Sequence, residues 1–227
     1  MNRPIDVQKK WVGYEYFSRC LTPVAAATMA QGMFETLDDV LTDCRNRLIR
    51  APRDRKSPFH TPVIVTGDID ARVMVLRAFD SAAWRLRLHT DVRAPKAAAI
   101  AADPRAAVLF YDKGAKIQIR TRGHAEIITR GSEVDAAWAA GTNFARRCYL
   151  GDGPGTPSEN PTSGLPPEFE GVEPDDAQLI PARENFALLR ITLTAFDWLY
   201  LAHTGHVRAQ FARSTADAPW DGRWVSP

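Results

Sequence analysis

Residues 62–90, PVIVTGDIDARVMVLRAFDSAAWRLRLHT, decide the fold class because they hold three β-rich runs in close succession. PVIVTGDI (62–69) and RVMVLRAF (72–79) are rich in β-branched residues and are separated by only two residues, which predicts a hairpin. In WRLRLHT (84–90), apolar residues alternate with arginine and histidine, the period-two pattern of a strand with one face in solvent. The stretch therefore predicts three consecutive strands.

Further strands and helices are predicted on both sides of this stretch. The strand patterns are AAVLFYD (106–112), KIQIRTRGHAEIIT (116–129), NFALLRITLTAFDWLYLAH (185–203), VRAQFAR (207–213) and WDGRWVSP (220–227). Helices are predicted over 32–50, 95–102 and 133–149, the last capped by Ser132. Gly123, in the middle of a strand, predicts a bulge or bend. Antiparallel strands with helices inserted between them predict an α+β barrel, because the regular βαβ alternation of a doubly wound fold is missing.

The domain organisation is predicted to be simple. A chain of 227 residues is the size of one domain, so residues 1–227 are interpreted as a single unit. Residues 1–60 are interpreted as an N-terminal helical arm of this domain. Residues 151–181 are dense in Gly, Pro, Ser and acidic residues, which predicts a loop or lid.

Composition and charge argue against several classes of protein. The 29 basic and 27 acidic residues leave a net charge of +2, which disfavours a nucleic-acid binder working through Arg85, Arg87, Arg120 and Arg122. The three cysteines are far apart, which argues against a disulfide framework. No apolar run approaches the ~18 residues that span a bilayer, and the polar N-terminus lacks a signal-peptide core. We expect a cytoplasmic protein that binds neither nucleic acid nor membrane.

One group of polar residues suggests an anion site. Arg72 and Arg77 lie on one predicted strand, Thr90 ends the next, and Lys96 falls in the first turn of the following helix. A helix N-terminus offers free N–H groups and the cations offer charge-assisted hydrogen bonds, so the group could converge on a phosphate. The alternative is that these are solvated charges at strand edges.

The spacing of these residues resembles that of the pyridoxamine 5′-phosphate oxidase family of FMN-binding proteins. RVMVLR (72–77) is similar to the family's R-x-x-x-L-[KR], and HTDVRAPK (89–96) to its [YF]-T-x-x-x-S-[RK]-K. The resemblance implies that Arg72 and Lys96 hold the flavin phosphate and that Arg77 faces the substrate. The family's Ser-Arg before the final lysine is Ala94-Pro95 here, and Arg93 is a candidate to compensate for the missing charge.

Two later motifs extend the resemblance. QIRTRG (118–123) is similar to the family's Q-x-x-x-x-G, which puts the amide of Gln118 beside the flavin ring, where it can both donate and accept. Trp198 and Arg208 have the family's spacing of a tryptophan and an arginine beside the flavin, and WDGRWVSP resembles the family's C-terminal tail. The cofactor-binding residues implied by the resemblance are Arg72, Val75, Leu76, Arg77, His89, Thr90, Lys96, Gln118, Trp198 and Arg208.

The resemblance implies an α+β fold, an antiparallel FMN-binding split β-barrel, in a homodimer with FMN at the subunit interface. It also implies an FMN-dependent oxidoreductase, with no residue assigned as catalytic. Two alternatives stay open: a flavin- or haem-binding split barrel without turnover of its own, and a genuine pyridoxamine/pyridoxine 5′-phosphate oxidase.

The resemblance also bears on the substrate. Arg77, Arg147 and His206 are the candidate substrate-binding residues. Where the family's oxidases have R-x-H-x-R, this chain has Thr204 in place of the first arginine, so we expect slow or absent oxidation of pyridoxamine 5′-phosphate. His203 and His206 have no acidic or cysteine partners at ligand spacing, so no metal site is predicted.

Overall fold

The computed structural model describes residues 34–227, so most of the predicted N-terminal arm lies outside the described residues. The strands are β1 (Val63–Thr66), β2 (Ala71–Val73), β3 (Leu76–Asp80), β4 (Arg85–Asp91), β5 (Arg105–Asp112), β6 (Ile117–Ile128), β7 (Phe186–Tyr200), β8 (Val207–Ala212) and β9 (Asp221–Val225). The α-helices are α1 (Leu37–Arg50), α2 (Pro95–Ala102), α3 (Ser132–Ala139) and α4 (Asn143–Arg146). Short 3₁₀ helices cover Pro58–His60, Arg147–Tyr149, Pro167–Phe169 and Ile180–Asn185.

The strands of residues 34–227 form one antiparallel sheet in the order β2-β1-β5-β6-β7-β4-β3, with β8 on β7 and β9 on β8. The predicted hairpin is confirmed, because β1 pairs with β2 from Val63 opposite Val73. The single strand predicted over 72–79 is wrong, because β2 ends at Val73 and β3 begins at Leu76 and pairs with β4, so 62–90 holds four strands. Strand β7 is shared along its length: its first half pairs with β4, its second half with β8, and β6 lies beside both halves. The sheet therefore divides along β7, which lets it curl around a core.

The bulge predicted at Gly123 is confirmed. The register between β6 and β7 shifts between Arg122 and Gly123. A Cβ atom on Gly123 would lie 2.1 Å from the carbonyl oxygen of Thr192, so the two backbones meet where only glycine fits.

The main core lies between the inner face of the sheet and α1. Helix α1 begins with a capping box in which Asp39 N–H donates to Thr36 Oγ1 and Thr36 N–H donates to the Asp39 carboxylate. The largest fully buried side chains of this core include Trp198, Phe59, Phe110, Leu48, Ile64, Leu86 and Leu88. Because these side chains pack closely, the core gives a rigid base to the residues at the sheet edges.

The helix predicted over 133–149 is wrong in two respects. It is divided, because α3 ends at Ala139 and α4 begins at Asn143, with Thr142 as a new N-cap that accepts a hydrogen bond from Ala145 N–H. Gly131, in the left-handed region at φ 106°, is the N-cap of α3, and Ser132 makes no capping hydrogen bond. Helix α3 covers a second, smaller core on the outer face of the sheet, formed by Val134, Ala137, Phe186 and Leu188.

Residues 151–181 are mostly irregular, as predicted, apart from one 3₁₀ turn at Pro167–Phe169 and the start of another at Ile180. Within residues 34–227, every helix is too short or too polar to cross a membrane.

Candidate functional site

Arg72 and Lys96, which we name the edge cluster, lie close together at one edge of the sheet. Arg72 is on the edge strand β2, opposite the buried Ile64, so its side chain shares the inner face of the sheet. Its Nη1 donates to Thr66 Oγ1 at 2.9 Å, and its Nη2 donates to the Asp70 carboxylate. The side chain of Arg72 is only 19% exposed, so its position is well defined.

Lys96 lies in the first turn of α2, whose N-cap Ala94 makes no side-chain capping hydrogen bond. Burial and the nearby positive charge of Arg72 lower the pKa of Lys96 below its usual range. Among residues 34–227, Lys96 has no carboxylate within salt-bridge distance. The positive charge of Lys96 is therefore uncompensated, and it lies at the uncapped N-terminus of α2.

These features fit a terminal phosphate. A phosphate group takes hydrogen bonds from free N–H groups at a helix N-terminus and is stabilised by cations, and it would relieve the repulsion between Arg72 and Lys96. Arg93 does not add a free cation, because its guanidinium donates to Asp91 at 2.7 Å and to the carbonyl of Gly151 at 2.9 Å. Arg93 instead ties the start of α2 to the loop after residue 150.

Four more of the predicted cofactor-binding residues lie on or next to β3 and β4. Val75 is half-buried, Leu76 is fully buried, and Arg77 is exposed at an irregularity in the β3–β4 register. Thr90 is buried on the inner face, and its hydroxyl donates to the carbonyl of Asp91 at 3.3 Å.

His89 is half-buried on the outer face, edge-on to Phe186 at 4.9 Å between ring centroids. Burial, followed by the charges of Arg77 and Arg87, lowers the pKa of His89 to about 4. Its buried Nε2 has no hydrogen-bond partner among residues 34–227. His89 is therefore neutral at physiological pH.

A second group, which we name the outer-face cluster, lies on the opposite face of the sheet. It consists of Gln118, Arg120, Asp197, Arg208 and Gln210. On neighbouring strands, Gln118 is opposite Leu199, which is opposite Arg208, while Arg120, Asp197 and Gln210 form the next row. The residues of this cluster other than Gln118 line a groove of about 520 Å³.

Trp198 is not part of the outer-face cluster, although it is adjacent to Asp197 in sequence. Its side chain is fully buried on the inner face and packs edge-on against Phe34, 4.7 Å between ring centroids. Its Nε1 has no hydrogen-bond partner among the described residues. The structure thus brings Gln118 and Arg208 together on one face and places Trp198 on the other.

Asp197 is the site residue that the sequence reasoning missed. Its carboxylate accepts hydrogen bonds from Arg120 at 2.8 Å, from Arg208 at 2.6 and 3.0 Å, and from Gln210 at 2.9 Å. Asp197 is the only acidic residue of β7, and a lone acid flanked by Phe196 and Trp198 is the signal that could have drawn attention to it.

The candidate substrate-binding residues are spread over three places. Arg77 is exposed on β3, and His206 is exposed in the turn between β7 and β8 next to Thr204. Arg147 donates to the carbonyls of Phe169 at 2.7 Å and Val172 at 3.0 Å, so its guanidinium holds the 151–181 loop. Residues 34–227 contain no group of His, Cys, Asp and Glu that could hold a metal ion.

Comparison with known proteins identifies relatives of this chain. Residues 43–129 match the family described as "Pyridoxamine 5'-phosphate oxidase, FMN-binding domain". The chain is related to the pyridoxamine 5′-phosphate oxidase family of FMN-binding proteins. The matched residues include Arg72, Lys96 and Gln118, and the cofactor that the match indicates is FMN.

Two curated oxidase-family relatives come from Nitrobacter. The chain is 29% identical to the pyridoxine/pyridoxamine 5′-phosphate oxidase of Nitrobacter winogradskyi over 157 residues, which are 66% of this chain and 70% of that protein. The corresponding protein of Nitrobacter hamburgensis is 28% identical over the same share of each chain.

Two solved structures share the fold of this chain. A pyridoxamine 5′-phosphate oxidase-related, FMN-binding protein from Nostoc punctiforme superposes with a TM-score of 0.58 at 21% identity, covering 92% of this chain and 98% of that one. PhzG from Burkholderia lata, solved with tetrahydrophenazine-1-carboxylic acid, superposes with a TM-score of 0.56 at 16% identity, covering 84% and 90%. The predicted split-barrel fold is confirmed.

Proposed function

We propose that this protein is a cytoplasmic, single-domain FMN-dependent oxidoreductase that works as a homodimer, with each flavin held between two copies of the chain. The observation that carries the proposal is the placement of the two clusters on opposite faces of one sheet. Within one chain the sheet itself separates the two clusters. A second copy can set its outer-face cluster against the edge cluster of the first, so that both contact the same flavin.

In this proposal different residues of the chain bind different parts of FMN. Arg72, Lys96 and the N-terminus of α2 bind the phosphate, and the amide of Gln118 donates to and accepts from the polar edge of the ring. Backbone around Val75, Leu76, His89 and Thr90 lines the cofactor, and Arg77 faces the substrate. Bound FMN supplies the redox chemistry, since a flavin accepts and passes on electrons that side chains cannot. We assign no side chain as a general acid or base.

We further propose that pyridoxamine 5′-phosphate is not an efficient substrate. Thr204 is a neutral, exposed residue where the family's oxidases have an arginine, and the guanidinium of Arg147 is occupied by loop carbonyls. Loss of one charged contact to a substrate phosphate costs about 1.5–3 kcal/mol, roughly ten- to hundredfold in affinity. The same observations favour the second candidate function, a flavin-binding protein without turnover of its own.

The test begins with the absorption spectrum of the purified protein and chromatography of the released cofactor. We expect FMN at one molecule per chain and a dimer in analytical sedimentation. Titration of the apoprotein should give an affinity for FMN at least roughly tenfold above that for riboflavin, because riboflavin leaves Lys96 without an anion. Equal affinities, or a fully loaded monomer, would contradict the proposal. Anaerobic mixing of the loaded protein with pyridoxamine 5′-phosphate then separates the two candidate functions from a genuine oxidase, which would bleach the flavin rapidly.

A further inference from the structure

The outer-face cluster is organised around a single carboxylate. Asp197 lies between Arg120 on β6 and Gln210 on β8 in the strand register, and both side chains donate to its Oδ2. Arg208 reaches it diagonally with Nε and Nη2. Three neighbouring side chains therefore converge on one residue, whose own side chain is only 14% exposed.

The pairing with Asp197 fixes how Arg208 is presented. A two-point contact between a guanidinium and a carboxylate defines the plane of the guanidinium as well as its position. Nε and Nη2 of Arg208 are both used on Asp197, while Nη1 has no hydrogen-bond partner among residues 34–227. Asp197 thus leaves the Nη1 amino group of Arg208 free and fixes its direction.

The same pairing reduces the positive charge of the cluster. Burial opposes ionisation of Asp197, but the hydrogen bonds from Arg208 and Gln210 and the nearby Arg120 outweigh it, so the pKa of Asp197 lies below its usual range. The carboxylate is therefore charged at neutral pH and cancels one of the two guanidinium charges. Arg122 and Arg223 line the same groove and have no carboxylate at salt-bridge distance within residues 34–227, so compensation is specific to the pair that Asp197 contacts.

We propose that Asp197 is a positioning residue for the bound flavin: it orients Arg208 and limits the positive charge that Arg208 and Arg120 present to the ring. The inference rests on the proposed function, in which Arg208 is beside the flavin. A positive charge near a flavin favours the reduced, more negative form, and charge near the ring is one of the ways in which a protein tunes this cofactor. Asp197 therefore keeps the reduction potential of the bound FMN lower than it would be beside two uncompensated arginines.

The test is the midpoint potential of bound FMN, measured by anaerobic dye equilibration in the wild-type homodimer and in Asp197→Asn. Asparagine has nearly the same shape but no charge, so the potential should rise, with flavin reduction favoured about tenfold, or about 30 mV for a two-electron couple. Glu126→Gln is the matched control, because Glu126 is on the same face of β6 and pairs with an arginine, Arg190, but does not line the groove, and it should leave the potential unchanged.

A second variant covers the case in which Asp197→Asn folds poorly. Arg120→Gln removes one of the two cations while Asp197 stays paired with Arg208, so the potential should fall. Wild-type protein that binds no FMN would contradict the proposed function and, with it, this inference. Protein that binds FMN normally, with potentials that neither variant changes, would contradict the role of Asp197 alone.

Discussion

The edge cluster and the outer-face cluster both contain cations, but only the outer-face cluster has a buried carboxylate that pairs with them. In the edge cluster, Lys96 has no carboxylate partner within the described residues, and the partner of Arg72 is Asp70, whose side chain is 63% exposed. In the outer-face cluster, the carboxylate of Asp197 is 14% exposed and is shared by two arginines. Lys96 is thus left uncompensated where an anion is expected, whereas Arg120 and Arg208 share one carboxylate where a neutral ring is expected.

This difference is explained by the different charges of the FMN phosphate and the flavin ring. A phosphate carries its own negative charge, so a carboxylate already paired with Lys96 would have to be displaced or would repel it. A flavin ring is neutral when oxidised and gains negative charge only on reduction, so nearby cations bias its redox state. The predictions below break or sharpen this comparison, beginning with the largest effect.

The largest effect is expected from Gly123→Ala, which targets the bulge that joins the two halves of the β6–β7 ladder. The added methyl would lie 2.1 Å from the backbone carbonyl of Thr192, and backbone cannot move aside as a flexible side chain can. We expect a loss of about 3 kcal/mol in the free energy of unfolding, measured by urea denaturation. Gly114→Ala is the control, since its Cβ would approach only the Asp112 side chain, at 3.4 Å. Equal stability of the two variants would show that the bulge is not tightly constrained.

The next effect compares the clusters directly through FMN affinity. Lys96→Ala removes an uncompensated cation, so FMN should bind ten- to hundredfold more weakly, about 1.5–3 kcal/mol. Arg208→Ala removes a cation that Asp197 already compensates, so the loss should be only a few-fold, under about 1 kcal/mol. Isothermal titration of each apoprotein gives both values, with Lys113→Ala as an exposed-lysine control. A larger loss from Arg208→Ala than from Lys96→Ala would reverse the comparison.

The strands and the edge cluster could be predicted from sequence because their signals are local. Period-two alternation locates β4 and β6, and a mid-strand glycine locates the bulge, because close backbone contact excludes every other residue. Arg72 and Lys96 are recognisable because each lies in a motif of a few residues around one strand or helix end. Residues 43–129, where these motifs fall, are also the residues that match the FMN-binding family.

The rest depended on tertiary contacts. Asp197 has no sequence motif, and its role arises from Arg120, which is 77 residues away in the chain, and from β8. The break between α3 and α4 falls at Gly141, Thr142 and Asn143, which are poor helix formers, and Thr142 fixes the new start through its capping geometry. The burial of Trp198 follows from strand alternation, which puts it on the face opposite Asp197, whereas the spacing to Arg208 alone gives no information about the face.

The smallest expected effect concerns His89. Like Lys96, it is partly buried near arginines that lower its pKa, but His89 is neutral at pH 7. Its pKa of about 4 in the folded protein, caused by burial and then by Arg77 and Arg87, lies below the unfolded value of 6.5. The unfolded chain therefore binds a proton first on acidification, so the stability that neutral His89 contributes is complete above about pH 6.5 and is lost as the pH falls towards 4. Because the ring is partly exposed, solvent screening reduces this contribution to about 1–2 kcal/mol.

Urea unfolding from pH 7 to pH 4 should show that His89→Gln, which cannot titrate, loses less stability than wild type over that range. His124→Gln, at an exposed histidine on β6, should follow the wild-type curve. If the His89→Gln and wild-type curves run parallel, His89 titrates alike in both states and the arginines beside it do not control its charge.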